Sequence, residues 1–289
     1  GARAFIVLDD DNAMIDRALE LIRQNHAYSG MLISPEQAER LIRPTSVLVV
    51  VDTQRVSSLV ATRLIETAGR VVVIDHHRRG AEHIDNPTLH FLEVRASSTS
   101  ELVTEMLQYF DANLRPPAFV CGTLLAGITI DTKHFAFNVG SRTFEAAGYL
   151  RKNGADTGMV KQMFQDDMES FGDVANTVRS AELLSGGIAL ATVSEGVKNA
   201  SLIAAKAADE LIGIRGIEAA FVLGKEEEVV NVSGRSLGSI NVQIICEKMG
   251  GGGHLTMAGA QLGDIELDEA EALVRGFVEQ YKQEVGQTT

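Results

Sequence analysis

Hydrophobic and polar positions fall into two regimes along this chain. In the first, short apolar runs of strand length alternate with segments whose apolar residues recur at helical spacing. Residues 2–8, ARAFIVL, read as a strand, and Met14, Ile15, Ala18, Leu19 and Ile22 then mark one face of a helix. Ile33 to Ile42 reads as a short helix, with Ser34 as N-cap and Pro35 in its first turn. The run 47–51 is a strand of the fully buried kind, and helix 55–68, closed by Gly69, leads back to a second such strand at 71–74. Strand, helix and strand in that order form a βαβ unit, which makes the sheet parallel. Beyond Asn86 and Pro87, HFLEV at 90–94 is a further short strand, and Arg95 to Glu101 opens a helix. Pro116-Pro117 starts the next helix, whose Gly122, Ala126 and Gly127 imply close approach of a neighbour before it reaches Asp131-Thr132. Helix 141–152 ends at Asn153-Gly154.

The second regime begins after a stretch, residues 155–185, that is polar, free of Pro and without strand signal; it reads as a helical linker. Strand 188–194 precedes a helix at 199–212, and AAFVLG and VVNVSGRS form a hairpin across Lys225 to Glu228. Helix 239–249, strand TMAGAQL and helix 268–284 complete the pattern. The expected fold class is therefore α/β: a parallel-sheet domain over 1–154, the helical linker, and a smaller mixed-sheet α/β domain over 186–289.

Composition narrows the function classes. A length of 289 residues suits two buried cores, and 45% hydrophobic with 22% charged residues is ordinary for a globular chain. A net charge of -13 opposes a broad basic surface for long nucleic acid. No run of 18 apolar residues is present, and the N-terminus lacks a signal peptide's layout. Cys121 and Cys246 are isolated, which fits buried thiols in a reduced, cytoplasmic compartment.

Candidate chemistry gathers at strand ends. Strand 71–74 delivers Asp75, His76 and His77 together, at the edge where open parallel sheets bind ligands. Imidazole with carboxylate suits a metal site, and a structural His pair on a turn is the other reading. Asp52 and Asp131 close two more apolar runs. A carboxylate at the C-terminal end of a helix, as at Asp131, faces the negative end of the dipole and calls for a cation. Asp9, Asp10, Asp11 and Asn12 fit helix capping better than metal ligation. Ser97 to Ser100 with Glu101 is either a capping box or an anion site at a helix start. In the second domain, Arg235 and Ser236 end a strand, and Gly250 to Gly253 with His254 follow a helix. A glycine run lets backbone amides approach a ligand, or serves as a hinge.

Asp52, then Asp75-His76-His77, then Asp131-Thr132, then the four glycines and His254, together resemble the DHH/DHHA1 phosphoesterases over nearly the whole chain. DTKHFAF, SRTFEAAGYL and VSGRSLGSINVQ are most similar to the catalytic region of bacterial cyclic-di-AMP phosphodiesterases. The resemblance implies a two-ion Mn2+ site in which Asp52 bridges the ions and His76 and Asp131 complete one of them. It implies that Asp75 orients a ligand, that His77 contacts the substrate phosphate or leaving oxygen, and that Ser97 and Ser98 lie beside the metals. Arg235, Ser236, Gly251, Gly252, Gly253 and His254 would hold the rest of the nucleotide across an interdomain cleft. The implied reaction opens cyclic-di-AMP to linear pApA. Oligoribonuclease/pAp-phosphatase activity and an inactive nucleotide-binding fragment are the alternatives. The implied partners are a cyclic dinucleotide or short nucleotide, with no long nucleic acid and no membrane segment in this chain; a second copy is an admissible partner. Full-length members carry membrane and sensory domains, so a membrane-anchored parent with this region facing the cytoplasm is implied. The family's first motif, His-x-x-x-Asp-x-Asp after the first strand, has no match here, and the chain is expected to begin after it, to fold, and to hydrolyse feebly or not at all.

Overall fold

The computed structural model describes residues 3–9, 15–111 and 113–286, and the chain divides into two compact units, Gly1–Gln165 and Asp166–Thr289. Asp10, Asp11, Asn12 and Met14, expected at the start of the first helix, lie outside the described residues.

In the first unit, β1 (Ile6–Val7) pairs in parallel with β2 (Leu32–Ile33). Helix α1 (Asp16–Gln24) lies between them in sequence, and α2 (Pro35–Leu41) follows with the full Ser34–Gln37 capping box. Strands β3 (Val47–Val51), β4 (Arg70–Asp75) and β5 (Leu89–Leu92) form a parallel sheet in that order. β4 is buried on both faces: Val71 and Val73 join one core cluster, whereas Val72 and Ile74 pack with Leu102 on the other side. This explains its uninterrupted β-branched run. β3 reads the same way in sequence but is an edge strand covered on one face; Val47, Val49 and Val51 are each about half exposed.

The expected helix 55–68 is broken into a 3-10 turn at Val56–Ser58 and a short α3 (Arg63–Thr67). Ser57 gives both its backbone N–H and its hydroxyl to the Glu82 carboxylate at 2.7 Å, and the Val, Ser and Thr residues around it are weak helix formers. Helices α4 (Thr99–Phe110), α5 (Ala118–Asp131), α6 (Ser141–Lys152) and α7 (Thr157–Met163) complete the unit; Leu125, Ile128, Leu150 and Val160 share one core of α5, α6 and α7, and Leu102 of α4 packs with β4.

The second unit opens with α8 (Met168–Arg179) and β6 (Glu182–Leu184), a strand inside the segment expected to be helical linker. Ladder pairing with β7 (Ile188–Thr192), not local pattern, makes it a strand. Then come α9 (Ala200–Leu211), β8 (Ala219–Glu226), β9 (Val229–Ser236), α10 (Val242–Glu247), β10 (Gly252–Gly253), β11 (Met257–Gly263) and α11 (Leu267–Gly286). The described strands form one mixed sheet in the order β10-β11-β9-β8-β7-β6, with β7 and β8 parallel. Phe221 and Leu223 of β8 enter one core with α10 and α11, and Ala220 and Val222 enter a second with α9. Each fully buried side chain of that size contributes about 1.5–3 kcal/mol. The hairpin turn is tighter than the sequence implied: Glu226 pairs with Val229, leaving Glu227, at φ 53°, and Glu228 to make it. α10 is shorter than the expected 239–249 because Asn241 caps it and the glycines end it. No described helix is long and apolar enough to cross a membrane.

Candidate metal centre

Both strand ends of the parallel sheet aim polar groups at one place. Asp52 follows β3 with φ 64°, a left-handed conformation that Asp tolerates better than most residues. Its backbone N–H donates to Ile74 O at 3.0 Å, and its Oδ1 accepts from Thr99 Oγ1 at 2.9 Å. The carboxylate is thus half exposed yet held from both sides.

β4 ends at Asp75, which is fully buried. Its Oδ1 accepts from His77 N at 3.1 Å and His77 Nδ1 at 2.8 Å, and its Oδ2 accepts from Gln54 Nε2 at 3.2 Å. The proton of His77 therefore sits on Nδ1, and Nε2 is presented outward from a half-exposed ring. His76 lies with Nδ1 3.2 Å from Ala96 O, and a carbonyl only accepts, so that nitrogen donates. In the neutral ring its Nε2 then carries the lone pair, and it faces Asp52 Oδ1 at 3.5 Å. Two electron-rich atoms directed at each other repel unless a proton or a cation stands between them, and backbone-anchored imidazole is how metal-ligating His is oriented. Asp52, His76 and His77 each offer one ligand atom, and these atoms all lie within 4.8 Å of one another. The donor set fits a divalent cation.

Asp131, the last residue of α5, does not join that group of three. It lines a cavity of about 410 Å³ with Asp52, Thr99, Ser100 and Leu124. Burial and then the Asp52 charge push its carboxyl up to about 6, against the opposing influence of His76, His77 and Lys133. A divalent cation at this end of the cavity would offset both causes of the shift by favouring the charged carboxylate.

The structure separates the hydroxyls of the α4 start. Ser98 caps the helix by accepting from Glu101 N at 3.0 Å, and Ser97 donates its hydroxyl to the buried Glu101 carboxylate. Both serines hydrogen-bond within the cap, and from this run it is Thr99 and Ser100 that line the cavity. From the hydroxyl run 97–100, read as a whole, sequence singles out only Ser97 and Ser98, not Thr99, whereas Gln54, three residues past the end of β3, gives no signal of its own.

In the second unit, Arg235 is 9% exposed, with Nε donating to Asp209 Oδ1 at 2.8 Å and Nη1 to Gly234 O at 3.1 Å. Ser236 is buried, and its Oγ accepts from Gly238 N at 2.9 Å. Gly250, at φ 77°, closes α10: its N–H bonds Glu247 O at 3.0 Å, and the N–H of Gly251 bonds Cys246 O at 2.9 Å. A side chain on Gly251 would overlap Gly259 and Ala260, and one on Gly253 would overlap Met257 O and Ala258. Gly252 alone of the four combines open space at its Cβ position with an ordinary negative-φ backbone. β10 pairs with β11, and β11 with β9, so Gly253, Ala258 and Gly234 form one row beside Arg235, with His254 exposed at the turn.

A parallel sheet whose strand ends gather carboxylate and imidazole, followed in the chain by a mixed-sheet unit with a glycine-lined corner, makes the molecule a two-unit α/β protein with a candidate metal centre at a sheet edge. The comparisons make the assignment particular. Residues 11–128 match the DHH family, N-terminal domain, and residues 186–280 match the DHHA1 domain. The chain is 42% identical over 280 residues to the cyclic-di-AMP phosphodiesterase GdpP of Geobacillus thermodenitrificans, covering 96% of this chain and 43% of that protein. It is 30% identical over 239 residues to the bifunctional oligoribonuclease and PAP phosphatase NrnA of Thermus thermophilus, covering 78% of this chain and 68% of that one. An exopolyphosphatase-related protein from Bacteroides fragilis shares the fold, with a TM-score of 0.78 at 18% identity over 91% of this chain and 80% of that one. The chain belongs to the DHH/DHHA1 phosphoesterase family. It spans less than half the length of the GdpP relative.

Proposed function

We propose that this chain is the catalytic part of a metal-dependent phosphodiesterase that opens cyclic-di-AMP to linear pApA. The observation that carries the metal reading is the convergence of one ligand atom each from Asp52, His76 and His77 within 4.8 Å of one another, with His76 Nε2 3.5 Å from Asp52 Oδ1. The substrate reading is supported by the name of the GdpP relative. Asp52 and His76 would hold the cation, with Asp131 joining from the cavity rim, and mixed imidazole and carboxylate donors suit Mn2+. Two bound ions would neutralise charge on the phosphoryl group and activate water. Thr99 fixes the Asp52 rotamer. His77, backed by the buried Asp75, is built to take a proton on Nε2 and deliver it to the leaving oxygen, the carboxylate stabilising the charged ring meanwhile. Arg235, Ser236, the open Gly252 and His254 are the proposed nucleotide contacts of the second unit.

The described residues hold one cluster of three candidate ligands, which is short of a two-ion site, so slow turnover by these residues alone is expected. The NrnA relative keeps short linear nucleotides as a second reading, and pApA and pAp belong in the same assay.

Calorimetric titration with Mn2+ tests the site. Asp52→Ala and His76→Ala should each weaken cation affinity by more than about 100-fold, since loss even of an outer partner of a ligand costs about 10- to 100-fold. His77→Ala should hold affinity within a few fold while hydrolysis falls. Undiminished affinity in the first two variants contradicts the metal assignment. A collapse of affinity in the third makes His77 a ligand instead of a proton donor.

A further inference from the structure

Gln54 takes no part in the reaction described above, yet its side chain is 3% exposed and sits against the two groups that matter to His77. Its Nε2 donates to Asp75 Oδ2 at 3.2 Å and to His77 O at 3.2 Å. Its backbone O accepts from Ile84 N at 2.8 Å, which ties the loop after the His pair back to the exit of β3. Its Oε1, buried, has no hydrogen-bond partner among the described residues. Flipping the amide would not relieve that orphaned acceptor, since it would direct Oε1 at a carboxylate and a carbonyl, both of which only accept. The orientation is therefore forced: both neighbours accept, so only the NH2 end can face them.

We propose that Gln54 is a positioning residue: acting through Asp75, its buried carboxamide holds the His77 ring with Nε2 turned outward. The inference rests on the reading of His77 as the group that meets the leaving oxygen. Asp75 is a fully buried carboxylate, and among the described residues no Lys or Arg pairs with it. Its fixed donors are His77 N and Nδ1 on one oxygen and Gln54 Nε2 on the other. Removing the Gln54 donor leaves Oδ2 bare in a dry site, where an unmatched acceptor is costly. The carboxylate then rotates to find another donor, and the His77 Nδ1 hydrogen bond goes with it. Because Gln54 also bonds the His77 carbonyl, the same loss frees the backbone under the ring. His76 is anchored separately, through Ala96 O, and stays where it is.

The test is side-chain nitrogen NMR on the 289-residue chain labelled at histidine, metal-free and at one fixed pH above neutrality, with Mn2+ affinity measured beside it. Wild-type His77 should show the pattern of a single Nδ1–H tautomer. In Gln54→Met, which keeps the length and removes the donor, the His77 pattern should move to the mixture of free imidazole. His76 should keep its own pattern, and Mn2+ affinity should stay within about threefold, as for a site whose ligands are untouched. Gln54→Glu, nearly isosteric but presenting a carboxylate to Asp75, should do the same and guards against misfolding of the first variant. The proposal is overturned if wild-type His77 carries its proton on Nε2, if both variants leave its pattern unchanged, or if His76 shifts in step with His77. Absence of Mn2+ binding by the wild type would instead sink the metal reading, leaving the Gln54 result standing on its own.

Discussion

At the scale of single residues, Asp131 shows how the cavity sets its own chemistry. Burial and the neighbouring Asp52 raise its carboxyl from 3.8 to about 6. Between those values the unfolded chain has released the proton and the folded chain retains it, so the cation-free protein loses stability as pH rises from about 4 to about 6. Asp131→Asn should remove that loss. Thermal unfolding in chelator should show the variant gaining on wild type across this window and keeping its advantage above it, whereas parallel curves would mean that the carboxyl is not buried against Asp52. Cation binding should reverse the order, since it restores the charged form. Asp52, His76 and His77 were legible because strand ends of a parallel sheet are where polar residues converge. Thr99 and Gln54 were not, because each acts through a partner 47 or 21 residues away in the chain.

Among elements, the buried strands announced themselves and the helices between them did so less well. Val71 to Ile74 in β4 and Ala219 to Leu223 in β8 are apolar without interruption because both faces are covered. The segment after Asp52 has apolar residues at helical spacing, yet Glu82 captures Ser57 and a 3-10 turn forms instead; no local pattern carries that contact. β6 was hidden for the same reason, being a strand only by virtue of its ladder with β7. The glycine run divides by role. Gly250→Ala places a side chain at φ 77° and should cost about 1 kcal/mol in denaturant unfolding. Gly252→Ala has open space and should change stability by less than about 0.5 kcal/mol, typical of a surface change. If Gly252→Ala weakens nucleotide binding while unfolding as wild type, its role is contact with the ligand; equal destabilisation by both variants would make the whole run structural.

For the whole molecule, an overall charge of -13 would have to accept the proposed anionic substrate, so local cations must overcome the global field. This makes metal occupancy the condition for the proposed substrate binding and hydrolysis. The change in periodicity near residue 186 pointed to a mixed α/β second unit, but that unit starts at Asp166, because α8 packs into its core and β6 joins its sheet. The tether of Arg235 to Asp209 was not, since it joins residues 26 apart on a strand and a helix. The most direct measurement is chromatographic analysis of cyclic-di-AMP incubated with the chain at saturating Mn2+, beside Asp52→Ala and a metal-free control. Slow formation of pApA by the wild type is expected, reduced to below about one per cent of that rate in Asp52→Ala and in chelator, because losing the metal site costs several kcal/mol of transition-state stabilisation. No pApA from the wild type, or equal amounts from the wild type and Asp52→Ala, would contradict it.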